Sequence, residues 1–217
     1  MAPADDDILE LEIPPHDLGA FLGVPPEPAG LVIFAHGSGS SRFSPRNGFV
    51  ARELRTAGFA TLLFDLLTAE ESLDRARVFD ITLLAERLLE AVDWARRRPE
   101  LASLPIGLFG ASTGAAAALV AAAEEPEVVR AVVSRGGRPD LAGPALPKVR
   151  APTLLIVGGH DTVVLELNRL ARRRMTAPVE LAVVPGAGHL FEEPGALERV
   201  VELARDWFRR WLGGREA

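Results

Sequence analysis

Ile106-Gly107-Leu108-Phe109-Gly110-Ala111-Ser112-Thr113-Gly114 decides how the rest of this chain is read. It is a short apolar run, then Gly-x-Ser-x-Gly, then the alanine-rich stretch Ala115 to Ala123. The pattern predicts a strand, a sharp turn and a helix. A serine at such a turn sits in strained backbone with its hydroxyl pushed out of the sheet. Gly110 and Gly114 suit the place, because a side chain at either would collide where helix and strand approach closely. The turn also aims the helix N-terminus, with its unpaired N–H groups and partial positive charge, at any anion that forms there. A glycine-rich turn with an idle serine has the same five-residue pattern, so the surroundings have to decide.

Working outward, apolar runs alternate with helical periodicity on both sides of this turn. Upstream, Ile8 to Ile13 alternates apolar and acidic residues, as a strand with one wet face does, and Leu18 to Val24 returns as its hairpin partner. Leu31 to Ala35 and Phe59 to Phe64 are continuous apolar runs, expected of strands buried on both faces. Pro45 to Ala57 reads as a helix, Leu66 to Phe79 as a charged connection, and Asp80 to Arg98 as an amphipathic helix with the stripe Leu84, Leu88, Ala91, Val92 and Ala95. Downstream, Val128 to Val133, Pro152 to Val157 and Val179 to Val184 read as strands, and Thr162 to Met175 and Leu197 to Leu212 as helices. Trp207 and Trp211 fall on the apolar side of the last helix, which makes them core residues.

Strands alternating with helices from residue 31 onward predict an α/β fold. Its sheet is mostly parallel, with about seven or eight strands, an antiparallel N-terminal hairpin, helices on both faces and no cap domain. The 217 residues suit one domain, 1–217, with no internal repeat. In such sheets ligands bind beyond the carboxyl ends of the strands. Each polar segment that follows a strand is therefore expected at one edge: His36-Gly37-Ser38-Gly39, Ser112, Arg135 to Arg138, Asp161 and His189.

The composition excludes several classes. A net charge of −6 without basic clusters argues against nucleic acid as partner and against an anionic membrane surface. Cysteine is absent, which removes disulfides, thiol nucleophiles and thiolate metal sites. No apolar run approaches the roughly 20 residues of a membrane-spanning helix. The start, Met1 to Asp7, is acidic and unlike a secretory signal, so a cytoplasmic protein is the expectation.

A serine hydroxyl becomes a good nucleophile only when a base takes its proton, and histidine is the usual base at neutral pH. The histidine needs a carboxylate to fix its tautomer and stabilise the imidazolium. Ser112, Asp161 and His189 follow one another in the order serine, acid, histidine. Asp140 is a rival acid, since it also follows a strand. Asp161 has a second possible role as a plain N-cap of the helix that begins at Thr162. His16 and His160 read as exposed, and His36 as a residue that orders its own turn.

From about Leu31 to Leu212 the chain resembles the α/β-hydrolases, and its small size places the resemblance in the dienelactone-hydrolase-like branch. The matching pieces are His36-Gly37-Ser38-Gly39, Gly110-Ala111-Ser112-Thr113-Gly114, Gly158-Gly159-His160-Asp161 with Thr162-Val163-Val164, and Gly188-His189. The resemblance implies Ser112 as nucleophile, Asp161 as acid and His189 as base. It implies an oxyanion hole from the backbone N–H groups of Thr113 and Ser38, and neither cofactor nor metal. Dienelactone hydrolase itself carries a cysteine nucleophile, so a serine here points to general ester hydrolysis. A thioesterase, peptidase or acyltransferase would use the same residues, and a silent binding protein would keep the fold. The expected partner is a small-molecule ester, and the expected assembly a monomer or homodimer. Arg42, Arg46, Arg135 and Arg138 lie on strand-end segments, and Arg42 and Arg138 are the first candidates to hold a substrate carboxylate. The stretch Ser134 to Ala151 is too short for a helical cap, which predicts an open, shallow site.

Overall fold

A computed structural model describes residues 8–213; the expectation drawn from Met1 to Asp7 lies outside the described residues. The apolar runs form eight strands: β1 (Ile8–Ile13), β2 (Leu18–Gly23), β3 (Leu31–Ala35), β4 (Ala60–Phe64), β5 (Ile106–Ala111), β6 (Val129–Arg135), β7 (Thr153–Gly158) and β8 (Val179–Val184). They make one sheet in the order β1-β2-β4-β3-β5-β6-β7-β8. β1 and β2 pair antiparallel, β2 joins β4 antiparallel, and every other pairing is parallel.

β5 shows why its sequence is apolar at every position. Leu108 faces one hydrophobic cluster and Phe109 the other, because successive side chains in a strand point to opposite faces. The first cluster includes Leu84, Leu88 and Ala91 of α3 (Ile81–Arg97) and Ala116 to Ala118 of α4 (Thr113–Glu124). The second includes Val50 and Leu54 of α1 (Pro45–Thr56) and Val200, Ala204 and Phe208 of α6 (Ala196–Leu212). Between α1 and α3 lies α2 (Arg75–Val78), and α5 (Thr162–Arg172) precedes β8. The alanines of α4 are buried almost all round, between the sheet, α3 and the segment Pro139–Lys148. Trp207 is buried in the second cluster and Trp211 packs against it.

Two connections hold more structure than their sequences suggested. Leu66 to Phe79 contains a 3-10 turn, Glu71–Leu73, and then α2. Thr68 and Glu71 form a reciprocal capping pair, with Thr68 N–H donating to Glu71 Oε2 at 3.0 Å and Glu71 N–H to Thr68 Oγ1 at 3.2 Å. Ser134 to Ala151 contains the 3-10 segment Pro139–Lys148, where Pro144, Pro147 and the positive φ of Gly143 prevent an α-helix. β6 also runs two residues past Val133, because Arg135 still pairs with Ala111 on one side and Ile156 on the other. Among the described residues no helix is long and apolar enough to cross a membrane.

Candidate active site

The turn after β5 is as tight as its glycines imply. Ser112 has φ 51° and ψ −119°, a conformation that costs a non-glycine residue about 1–3 kcal/mol and persists only where neighbours enforce it. Here they do. Ser112 N–H donates to Arg135 O at 3.3 Å, and Ser112 O accepts from Arg138 N–H at 3.0 Å and from Ala115 N–H at 3.1 Å. A Cβ on Gly110 would overlap the main chain of Ala115, and one on Gly114 the carbonyl oxygens of Ala35 and His36.

His189 and Asp161 meet across 28 positions of sequence, with Nδ1 to Oδ2 at 2.6 Å. Their loops are tied together as well, since His160 N–H donates to Ala187 O at 2.9 Å. Asp161 stands at the N-cap of α5, yet its side chain makes no capping bond there. A cap aspartate ordinarily bonds the first-turn N–H groups; this one is turned to the imidazole instead. Asp140 is engaged elsewhere, by a two-pronged contact from Arg138 at 2.8 and 2.8 Å. A carboxylate on Nδ1 fixes the proton there and leaves the lone pair on Nε2.

The turn after β3 lies against the serine, with Gly37 packed on Ser112 Cβ. His36 orders it. Its Nε2 accepts from Leu66 N–H at 3.0 Å, so its proton sits on Nδ1, which donates to Gly37 O at 2.9 Å. Burial lowers the pKa of His36 below the usual histidine value, against smaller upward pulls from Gly37 and Asp65, which keeps the ring neutral. Ser38 N–H donates to Thr113 Oγ1 at 2.9 Å. The two residues named for the oxyanion hole thus touch each other, with one of the two donors held by a hydroxyl.

The structure pairs both arginines that were first candidates for a substrate carboxylate with internal carboxylates. Arg42 is gripped by Asp65 through both its guanidinium and its N–H, reaches Glu10 at 3.3 Å and lies over the Phe43 ring at 4.3 Å. Arg138 is satisfied by Asp140. Each therefore already faces an internal carboxylate. A cavity of about 340 Å³ adjoins the turn after β3, lined by His36 to Ser41, by Asp65 to Ala69, and by Ser72, Val78 and Leu84. Part of its wall comes from the Leu66 to Phe79 connection. The Thr68-x-x-Glu71 capping pattern was the readable sign that this segment is ordered. His16 and His160 are exposed. Among the described residues no group of three or more histidine, aspartate or glutamate side chains is placed to hold a metal.

The dienelactone hydrolase family profile matches residues 18–212. The chain belongs to the dienelactone hydrolase family. A crystal structure of dienelactone hydrolase from Anabaena variabilis is 54% identical, covers 94% of this chain and 96% of its own, and superposes with a TM-score of 0.90. An α/β serine hydrolase without a lid from Xanthomonas campestris shares the fold at 22% identity and a TM-score of 0.75, with 94% of each chain covered. A Mycobacterium tuberculosis protein provisionally named a phosphoribosyl transferase is 61% identical over 212 residues. Those residues are 98% of this chain but 48% of that protein, so this chain spans about half the length of the curated relatives it matches. Fold and family together support a hydrolase.

Proposed function

We propose that this chain hydrolyses carboxylic esters through an acyl-enzyme on Ser112, with His189 as base and Asp161 as its orienting acid. The observation that carries the reading is the 2.6 Å contact between Asp161 and His189, made by an aspartate that forgoes its helix cap. It stands at the sheet edge where Ser112 is held in strained backbone.

In this reading the Ser112 oxygen attacks the ester carbonyl as His189 Nε2 takes its proton. Asp161 stabilises the imidazolium and holds the tautomer. Ser112 Oγ has no hydrogen-bond partner among the described residues, so its link to Nε2 forms as substrate arrives. The developing oxyanion is received by the N–H groups of Thr113 and Ser38. The carbonyl oxygen then replaces the Thr113 hydroxyl as acceptor of the Ser38 N–H. The imidazolium returns its proton to the leaving alcohol. Water, activated by the same nitrogen, attacks the acyl-enzyme and releases acid and serine. The cavity beside the oxyanion turn holds the acyl or alcohol group; apart from His36 and Asp65, the latter paired with Arg42, its lining is neutral, which suits a small and uncharged one.

A fluorophosphonate tests the nucleophile. Stoichiometric labelling on Ser112, absent in Ser112→Ala, is expected. A protein that stays unlabelled and inert on oxygen esters would refute the reading, while turnover of thioesters or amides alone would move it to another acyl-transfer class.

A further inference from the structure

Two arginines at this sheet edge remain outside the ester chemistry. Arg135 closes β6, and its guanidinium belongs to a residue only 7% exposed. Its one side-chain partner is Asn47 Oδ1 at 3.2 Å, a neutral group, and its Nε is buried without a partner. The charged group beside it is another cation, Arg46. Arg46 Nε is likewise buried and unpartnered. The other end of Arg46 reaches Glu192 Oε1 at 3.2 Å, a carboxylate whose side chain is 67% exposed. Burial, and Arg46 next to it, push the Arg135 pKa down to about 10, which still leaves Arg135 cationic at neutral pH.

A buried cation with no counter-charge is among the costliest arrangements in a protein interior. Other arginines of this edge avoid it, Arg42 through Asp65 and Arg138 through Asp140. Two forks from different elements, β6 and α1, leave an Nε donor each without an acceptor. Their position is also specific. The carbonyl of Arg135 accepts the N–H of Ser112, and Glu192 follows His189 by three residues in the same loop.

We propose that Arg135 and Arg46 form a binding site for a phosphate-type oxyanion beside the nucleophile turn. A planar carboxylate matches one guanidinium fork; a tetrahedral oxyanion, with at least three acceptor oxygens and close to two negative charges, matches two. Glu192 turns to solvent as the anion arrives. The phosphate belongs either to the substrate or to a free effector. The site stands whether or not Ser112 is the nucleophile.

The experiment measures inorganic phosphate binding to the full chain by calorimetry and by melting temperature at constant ionic strength, with acetate and chloride as controls. Saturable binding and a rise in melting temperature with phosphate are expected, with acetate at least tenfold weaker. Arg46→Gln, at a side chain already 34% exposed, is expected to weaken phosphate at least tenfold, the scale of one lost charge-assisted hydrogen bond. Arg135→Met is expected to abolish binding; should it fail to fold, Arg46→Gln carries the test. Ser112→Ala is expected to bind phosphate like the parent, which separates this site from the esterase reading. Competitive inhibition of ester turnover by phosphate assigns the anion to the substrate, and non-competitive inhibition to an effector. Phosphate no better than acetate, or bound equally by parent and Arg46→Gln, overturns the proposal.

Discussion

At the scale of single residues, the turn at Ser112 and the two carboxylates near it make the sharpest predictions. Ser112→Ala is expected to lower kcat for ester hydrolysis by roughly 10⁶ with an unchanged melting temperature; steady-state kinetics and a thermal melt check both halves. Asp161→Asn is expected to cut kcat by roughly 10⁴ through loss of the tautomer lock. Its stability should hold, because Asp161 makes no capping bond to lose. Asp140→Asn frees Arg138 but leaves His189 alone, so kcat should change by less than about tenfold. Comparable losses in both variants would break the assignment of the acid. His36 sets a pH dependence of its own. The folded state prefers the neutral ring, while the unfolded chain takes up a proton near pH 6.5. Stability from this source is complete above pH 6.5 and is lost as pH falls below it towards the folded value. Melting curves at pH 7.5, 6 and 5 are expected to show a steeper acid decline for the parent than for His36→Gln.

At the scale of elements, the segment Thr68 to Val78 is the one whose order matters to the candidate site, because it walls the cavity beside the turn after β3. It is fastened to α3 by Glu71, whose Oε1 accepts from the largely buried Arg87 at 2.9 Å. Burial by itself would raise the Glu71 pKa. The Thr68 N–H and Arg87 outweigh it and hold the carboxyl below the usual range. Breaking a buried ion pair from one side costs about 3–5 kcal/mol. Glu90 remains 3.1 Å from Arg87, which puts Glu71→Gln near the lower end, about 3 kcal/mol. The same variant is expected to raise KM more than it lowers kcat, since the cavity wall loosens while the serine turn is untouched. Denaturant titration and steady-state kinetics on one preparation measure both effects. A kcat loss at constant KM would mean that the segment bears on the chemistry and not on binding.

At the scale of the whole molecule, one sheet separates two hydrophobic clusters, and β5 contributes alternate side chains to each. Leu108→Ala removes volume from the α3 and α4 side and Phe109→Ala from the α1 and α6 side. Costs of about 2–5 and 3–5 kcal/mol are expected. Trp94 packs against the first cluster and Trp207 lies in the second, so each side has its own fluorophore. Because β5 serves both faces, either substitution is expected to lower the urea midpoint seen by both tryptophans equally. Single-tryptophan variants read this directly, and a midpoint that moves on one side only would show that the two layers unfold separately.

The sequence by itself determined whatever depends on near neighbours. Apolar runs five to seven residues long became strands buried on both faces, the 3.6-residue stripe of α3 became its inner surface, and the spacing of Gly110, Ser112 and Gly114 became a turn that nothing bulkier could make. Strand order then sent the polar segments to one edge, since parallel strands end on the same side of their sheet. Only the tertiary structure decided how the charges at that edge pair. Asp140 and Asp161 both follow strands, one in the first turn of a 3-10 segment and the other just before a helix. One lies two residues from Arg138 and is consumed by it, while the other is brought to His189 by contacts between the loops after β7 and β8. The same holds for the arginines. Arg42 meets Asp65 and Glu10 across 23 and 32 positions, and Arg135 meets no carboxylate at all among the described residues. Pairing at that range follows from register, loop direction and burial, none of which is written in any short stretch of the chain. The physical reason is that an ionic partner is chosen by distance in space and by shelter from water, whereas strands and helices are chosen by periodicity along the backbone.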